Sequence, residues 1–143
     1  MAHKNPSLSI LEIGAGTGGT THAVLSAPGG VNNRSTARFS QYTFTDISAG
    51  FFEKAASRFG AWKFRLDFQV LDIEQNPLGQ GFEEAWFDLV IASNVLHATK
   101  SIDQTLQNVG RVMKPGGKLC LTEITSPRLR TSVIFGTLPG WWR

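Results

Sequence analysis

The sequence predicts an α/β fold: a mainly parallel sheet of five strands with flanking helices. Three observations predict it. Short apolar runs of strand length alternate with segments of helical period, as parallel pairing and right-handed crossovers require. Some of those runs are apolar almost without a break, as strands covered on both faces should be. The first of them, Leu8 to Ile13, enters a turn that holds Gly14, Gly16, Gly18 and Gly19 and then leads into a helix.

Each element has a local reason. Residues 7–13 form the first strand, and residues 20–25 begin a helix that Ala27-Pro28-Gly29-Gly30 breaks. Residues 32–40 are a polar connection. The β-prone run Tyr42-Thr43-Phe44-Thr45 makes the second strand and ends at Asp46. Ser48 is suited to cap a helix, because its hydroxyl can accept an orphan backbone N–H. Phe51, Phe52, Ala55, Ala56 and Phe59 recur at helical period along it, and Gly60 ends it. Residues 66–71 are the third strand, closing at Asp72, and residues 76–81 turn through Pro77, Gly79 and Gly81. The fourth strand is residues 87–92. Ser101 caps the next helix, whose apolar face is Ile102, Leu106, Val109, Val112 and Met113. Lys114-Pro115-Gly116-Gly117 stops that helix, and residues 118–124 are the fifth strand. A ligand should lie beyond the strand C-termini, near the switch in strand order. That places Gly14, Asp46, Asp72, Asn94, His97 and Glu123 on one rim.

Composition narrows the function classes. The chain has 143 residues, 41% of them apolar, which suits one domain. No apolar run approaches the ~18 residues of a membrane span, and residues 1–6 lead directly into the first strand without a secretory signal. Cys120 is alone, so a disulfide scaffold is not expected and a reducing, cytoplasmic setting is. The net charge of +3 is scattered, apart from Arg128, Arg130 and Arg143, so a nucleic-acid partner is not expected. His3, His22 and His97 are too dispersed to suggest a metal site. The chain closes on Trp141-Trp142-Arg143, and a piece of a longer protein is the expectation.

The glycine turn lets backbone turn tightly and a ligand approach closely. It also satisfies G-x-G-x-x-G, so it does not by itself separate a dinucleotide from another nucleoside cofactor. Glu12 favours the latter: a carboxylate there repels a pyrophosphate and suits an ammonium such as that of a methionine moiety, by direct contact or through water. With it, Gly14, Ala15, Gly16 and Gly18 are expected at the cofactor. Asp46 can accept ribose hydroxyls, with Ile47 beside it. Asp72 can accept an adenine amino proton while Ile73 covers the ring. Asn94 belongs near the amino-acid end. His97 and Glu123 could touch if strands four and five are neighbours at ~4.8 Å. An imidazole serves as a base near neutrality, and a carboxylate behind it fixes the tautomer. Structural roles (a plain tight turn, solvated strand-end carboxylates, a core histidine) remain open for these residues.

Residues 11–19, Leu-Glu-Ile-Gly-Ala-Gly-Thr-Gly-Gly, resemble motif I of class I S-adenosylmethionine-dependent methyltransferases, and residues 87–97 and 106–117 resemble their later motifs. More narrowly, the chain is similar to the C-methyltransferase domain of fungal-type iterative polyketide synthases, highly reducing or hybrid. Residues 42–48 with Phe51-Phe52, residues 94–99 and residues 135–142 carry that likeness. The resemblance implies a Rossmann-like core that binds S-adenosylmethionine through the residues named above. It implies that His97 and Glu123 remove the α-proton of a β-ketoacyl thioester held by phosphopantetheine on an acyl carrier protein, after which the carbon takes the methyl group. It also implies that residues 1–143 are a core incomplete at both ends, lacking the final strands and substrate cap, and working beside neighbouring synthase domains. Weak cofactor binding by the isolated chain and self-association through an exposed edge follow as expectations. The alternatives are a general O- or N-methyltransferase, a nonenzymatic scaffold, and a dinucleotide oxidoreductase.

Overall fold

The computed structural model describes residues 7–26 and 39–124. The expected break at 27–30, most of the polar connection after it, the arginines at 128, 130 and 143 and the closing tryptophans lie outside the described residues. The elements run β1 (Ser9–Ile13), α1 (Gly19–Ser26), β2 (Gln41–Asp46), α2 (Phe52–Arg58), β3 (Leu66–Val70), β4 (Phe87–Ser93), α3 (Ile102–Val112) and β5 (Met113–Thr122).

The strands form one sheet in the order β3-β2-β1-β4-β5. Every pairing is parallel, with Leu11 opposite both Thr43 and Val90. The order reverses between β1 and β4, so the crevice beyond their C-terminal ends is the natural ligand position. This is a Rossmann-like α/β core.

Strand alternation divides the interior into two clusters. Ile10, Tyr42, Phe44, Leu66 and Ile91 pack with Leu25, Ala55, Phe59 and Trp62. Leu11, Ile13, Val90 and Ala92 pack with Leu96, Val109, Val112, Leu71 and Ile73. All five residues of β1 are buried. Its even-numbered side chains therefore enter the first cluster and its odd-numbered ones the second, which decides the fate of Glu12.

Three local expectations are corrected. Ser48 accepts the Gly50 N–H and caps a 3-10 turn over Ala49–Phe51, from which α2 continues. In α2 the buried positions reduce to Ala55, with Phe52 half-buried and Phe59 closing the helix, whereas Phe51 and Ala56 are exposed. Gly60 opens a second 3-10 turn, Gly60–Trp62, that buries Trp62.

In α3, Ser101 caps by accepting the Gln104 N–H, but the inward stripe is Thr105, Asn108, Val109 and Val112. Ile102 and Leu106 are 46% and 41% exposed. The helix is rotated from the expected face and turns two polar side chains inward: Thr105 donates to Ser101 O at its own helix cap, and Asn108 to the loop after β3.

The Lys114–Gly117 segment is not a turn between helix and strand. Helix α3 passes directly into β5, where Met113 pairs with Phe87 and Lys118 with Leu89, so the extra residues bulge out. Pro115, lacking an N–H, is tolerated there because β5 is the outermost described strand on its side. Leu121 and Ile124 are exposed beside it.

Candidate functional site

The turn from β1 into α1 lies across the tip of β2. Ala15 N–H donates to Thr45 O, and Gly16 N–H donates to the Asp46 carboxylate at 3.0 Å. Gly14, Gly16 and Gly18 all have positive φ. Two of them are bare for packing as well. A Cβ on Gly14 would lie 2.3 Å from Val95 Cγ2, and one on Gly18 would lie 2.7 Å from the Phe59 ring. Beside Gly16 the corresponding space is open.

Asp46 is nearly buried, and its other oxygen accepts the Ser48 N–H at 2.9 Å. A carboxylate has about four acceptor sites, so two backbone donors leave capacity for hydroxyls. Past β3, Asp72 accepts the Glu74 N–H. Its backbone is held at both ends by the Gln80 amide, which accepts from Asp72 N at 2.9 Å and donates to Asp72 O at 2.8 Å.

Between these strand tips lies a cavity of about 360 Å³, within the range of small-molecule sites. Of the residues expected at a cofactor, Gly14, Asp46, Ile47, Asp72, Ile73 and Asn94 line it. Ala15, Gly16 and Gly18 are not among its lining residues. Glu74, Val95, Ala98 and Thr99 are, and sequence reasoning missed them. Their adjacency to Ile73, Asn94 and His97 was the available signal.

Glu12 is not brought to the cavity. It is 2% exposed, and its Oε2 accepts from Thr21 Oγ1 at 2.5 Å and from Tyr42 OH at 2.6 Å. The reason is the strand period of two: Ile13 faces the cavity side, so Glu12 faces the α1 side with Ile10. Burial pushes its carboxyl above the ordinary value, against the opposing effect of the hydroxyl donors. Tyr42 is likewise pushed up, by burial and by the Glu12 charge.

Strands β4 and β5 are neighbours, and the residues after them meet. Glu123 Oε2 lies 2.5 Å from His97 Nδ1. Its Oε1 accepts the N–H groups of Val95 at 3.3 Å and Leu96 at 3.0 Å. One carboxylate thus orients the ring and holds the turn that carries it. That turn begins at Asn94, whose φ of 54° is left-handed, a conformation asparagine tolerates. Because an ionised carboxylate only accepts, Nδ1 carries the shared proton, and in the neutral imidazole the lone pair is on Nε2. The His97 side chain is 50% exposed and Glu123 18%, so the pair faces an accessible surface. Among the described residues, no cluster of three His, Cys, Asp or Glu side chains could hold a metal ion.

Comparison with known proteins adds context. A family described as "Methyltransferase domain" matches residues 11–119. The highly reducing polyketide synthase azaB of Aspergillus niger is 59% identical over 141 residues, covering 98% of this chain and 6% of that synthase. The trans-methyltransferase CalH, solved in complex with SAH, superposes with a TM-score of 0.91 at 46% identity, over 99% of this chain and 39% of CalH. The CurJ carbon methyltransferase superposes with a TM-score of 0.82 at 46% identity, over 95% of this chain and 34% of CurJ. The chain thus spans a small part of the curated synthase and between a third and two fifths of each solved enzyme.

Proposed function

The chain belongs to the methyltransferase-domain family, and from that premise we propose that it is the core of an S-adenosylmethionine-dependent C-methyltransferase of a reducing or hybrid polyketide synthase. Its substrate is the α-carbon of a β-ketoacyl thioester carried on an acyl carrier protein. The observation that carries the reading is the His97–Glu123 pair, set by its turn beside a cavity lined by two strand-end aspartates.

The lining fits the cofactor. Asp46 offers a carboxylate for ribose hydroxyls, Asp72 an acceptor for an amino proton, and Ile47, Leu71 and Ile73 apolar walls for a base. Gly14 and Asn94 lie at the switch in strand order, where the amino-acid end belongs. When bound, the cofactor supplies an electrophilic methyl group. Glu12 supports the glycine turn from beneath, through Thr21 of α1.

His97 Nε2 takes the α-proton of the β-ketoacyl group as general base, and Glu123 stabilises the imidazolium that forms. General-base help of this kind contributes ~10²–10⁴ in rate. Val95 links the two halves of the site: its N–H is held by Glu123, while its side chain lines the cavity. Neighbouring synthase domains and a carrier protein follow from relatives of which the chain spans 6% or less. A cytoplasmic setting is part of the same proposal.

Mass spectrometry tests the reading. The complete synthase containing this chain is incubated with a carrier-bound β-ketoacyl substrate and methyl-labelled cofactor. The label is expected on the α-carbon. Label on oxygen, or none, overturns the assignment.

A further inference from the structure

The cavity wall formed by Asp72, Ile73 and Glu74 has no regular secondary structure. Its backbone groups must therefore find partners outside a ladder or helix. Gln80 takes the N–H and carbonyl of Asp72. The next carbonyls go elsewhere. Asn108, in the middle of α3 and 1% exposed, donates from Nδ2 to Ile73 O at 2.9 Å and to Gln75 O at 3.0 Å. Its Oδ1 accepts from Gln104 Nε2 at 3.3 Å. All three bonds require the amide this way round, since a flipped one would set its oxygen against two carbonyls.

A buried amide in an apolar helix stripe is costly unless bonded. An apolar residue there would fill space, yet it would leave the Ile73 carbonyl of the cavity wall and the Gln75 carbonyl beyond it without this donor. Asn108 does not itself line the cavity; it stands behind the wall and bonds it through Ile73 O. What it controls is the path of the loop that places Ile73 and Asp72.

We propose that Asn108 is a positioning residue for the base-recognising wall: by donating to both Ile73 O and Gln75 O it sets the pose in which Asp72 and Ile73 accept an adenine-type base. This rests on the cofactor assignment above. It predicts an effect on cofactor affinity and none on proton abstraction at His97, which sits on a separately held turn.

The test uses the complete synthase that contains this chain, with S-adenosylhomocysteine as probe. Asn108→Leu keeps buried volume and donates nothing. Isothermal titration is expected to show affinity reduced about tenfold, the scale of losing buried hydrogen bonds. Amide exchange at Glu74 and Gln75 should quicken about tenfold, while β1 and β4 amides keep wild-type protection. In turnover the loss should fall on KM for the cofactor and not on kcat. Wild-type affinity and exchange in Asn108→Leu overturn the proposal, as does an equal loss of protection throughout the sheet. If Asn108→Leu does not fold, Gln104→Ala decides: its side chain is exposed, so folding persists, and about threefold weaker binding with faster Gln75 exchange is expected. Unchanged values there overturn it equally. If the wild-type synthase does not take the probe, the cofactor assignment fails, while the exchange measurement still decides whether Asn108 holds the wall.

Discussion

The Gly16 N–H donates to Asp46 Oδ2 at 3.0 Å, so one carboxylate ties the turn after β1 to the tip of β2. The same side chain accepts from Ser48. Asp46 thus shapes the site before any ligand arrives. Asp46→Ala should lower unfolding free energy by about 2 kcal/mol, the scale of hydrogen bonds to a charged group, and weaken S-adenosylhomocysteine binding at least ~10-fold. Urea denaturation and calorimetric titration check both. Undiminished affinity would remove Asp46 from the ribose contact.

The three left-handed glycines should not be equivalent. Alanine at Gly14 meets the stiff β-branched Val95 at 2.3 Å, and at Gly18 it meets Phe59 at 2.7 Å. At Gly16 it meets nothing. Gly16→Ala should cost only the left-handed penalty, ~1–2 kcal/mol. Gly14→Ala and Gly18→Ala should add overpacking of ~1–3 kcal/mol. Chemical denaturation ranks them, and a Gly16→Ala variant less stable than Gly14→Ala contradicts the packing argument.

Glu12 and Asp88 should give opposite acid responses. The Glu12 carboxyl is raised above its ordinary 4.5, first by burial. The folded chain therefore binds that proton more tightly than the unfolded one, and stability falls as pH rises from about that ordinary value through the folded one. Glu12→Gln, which keeps an acceptor for Tyr42, should lose this decline. Asp88 is lowered: burial alone would raise it, but Ser9 N–H and the Lys114 ammonium outweigh that. Its contribution is present above the unfolded pKa and disappears as pH falls through the folded one. Unfolding curves across pH for wild type, Glu12→Gln and Asp88→Asn separate the two, and differences of the reverse sign would refute the assignments.

Glu123 performs two tasks that two substitutions should separate. Glu123→Gln retains an oxygen for Val95 and Leu96 but loses the charge beside His97. Single-turnover methylation by the complete synthase should fall ~10²–10⁴-fold with acyl-carrier binding intact. Glu123→Ala also frees the turn, so cofactor affinity should fall with the rate, because Val95 lines the cavity. Equal rates in wild type and Glu123→Gln would exclude the assigned role of the Glu123 charge in stabilising the imidazolium.

The buried strand β1, the glycine turn and the strand-end carboxylates were legible because each is a local pattern of apolar run, φ preference or position. So was the meeting of His97 and Glu123, since it needed only adjacent β4 and β5. Two readings failed for one shared reason. Glu12 stood next to the turn in sequence, but alternation sent it to the opposite face from Ile13. The α3 stripe was read from its largest apolar residues, yet the helix turned Thr105 and Asn108 inward.

By itself the sequence determined the order of strands and helices along the chain, the glycine-rich turn and the residues at the strand tips, because these follow from backbone preferences within a few residues. Tertiary structure alone decided which polar side chains are buried and what they hold. Tyr42 and Thr21 come to Glu12, and Ile73 and Gln75 to Asn108, from separate segments of the chain. A buried polar group is tolerated only where such distant partners converge, and no local pattern records that convergence.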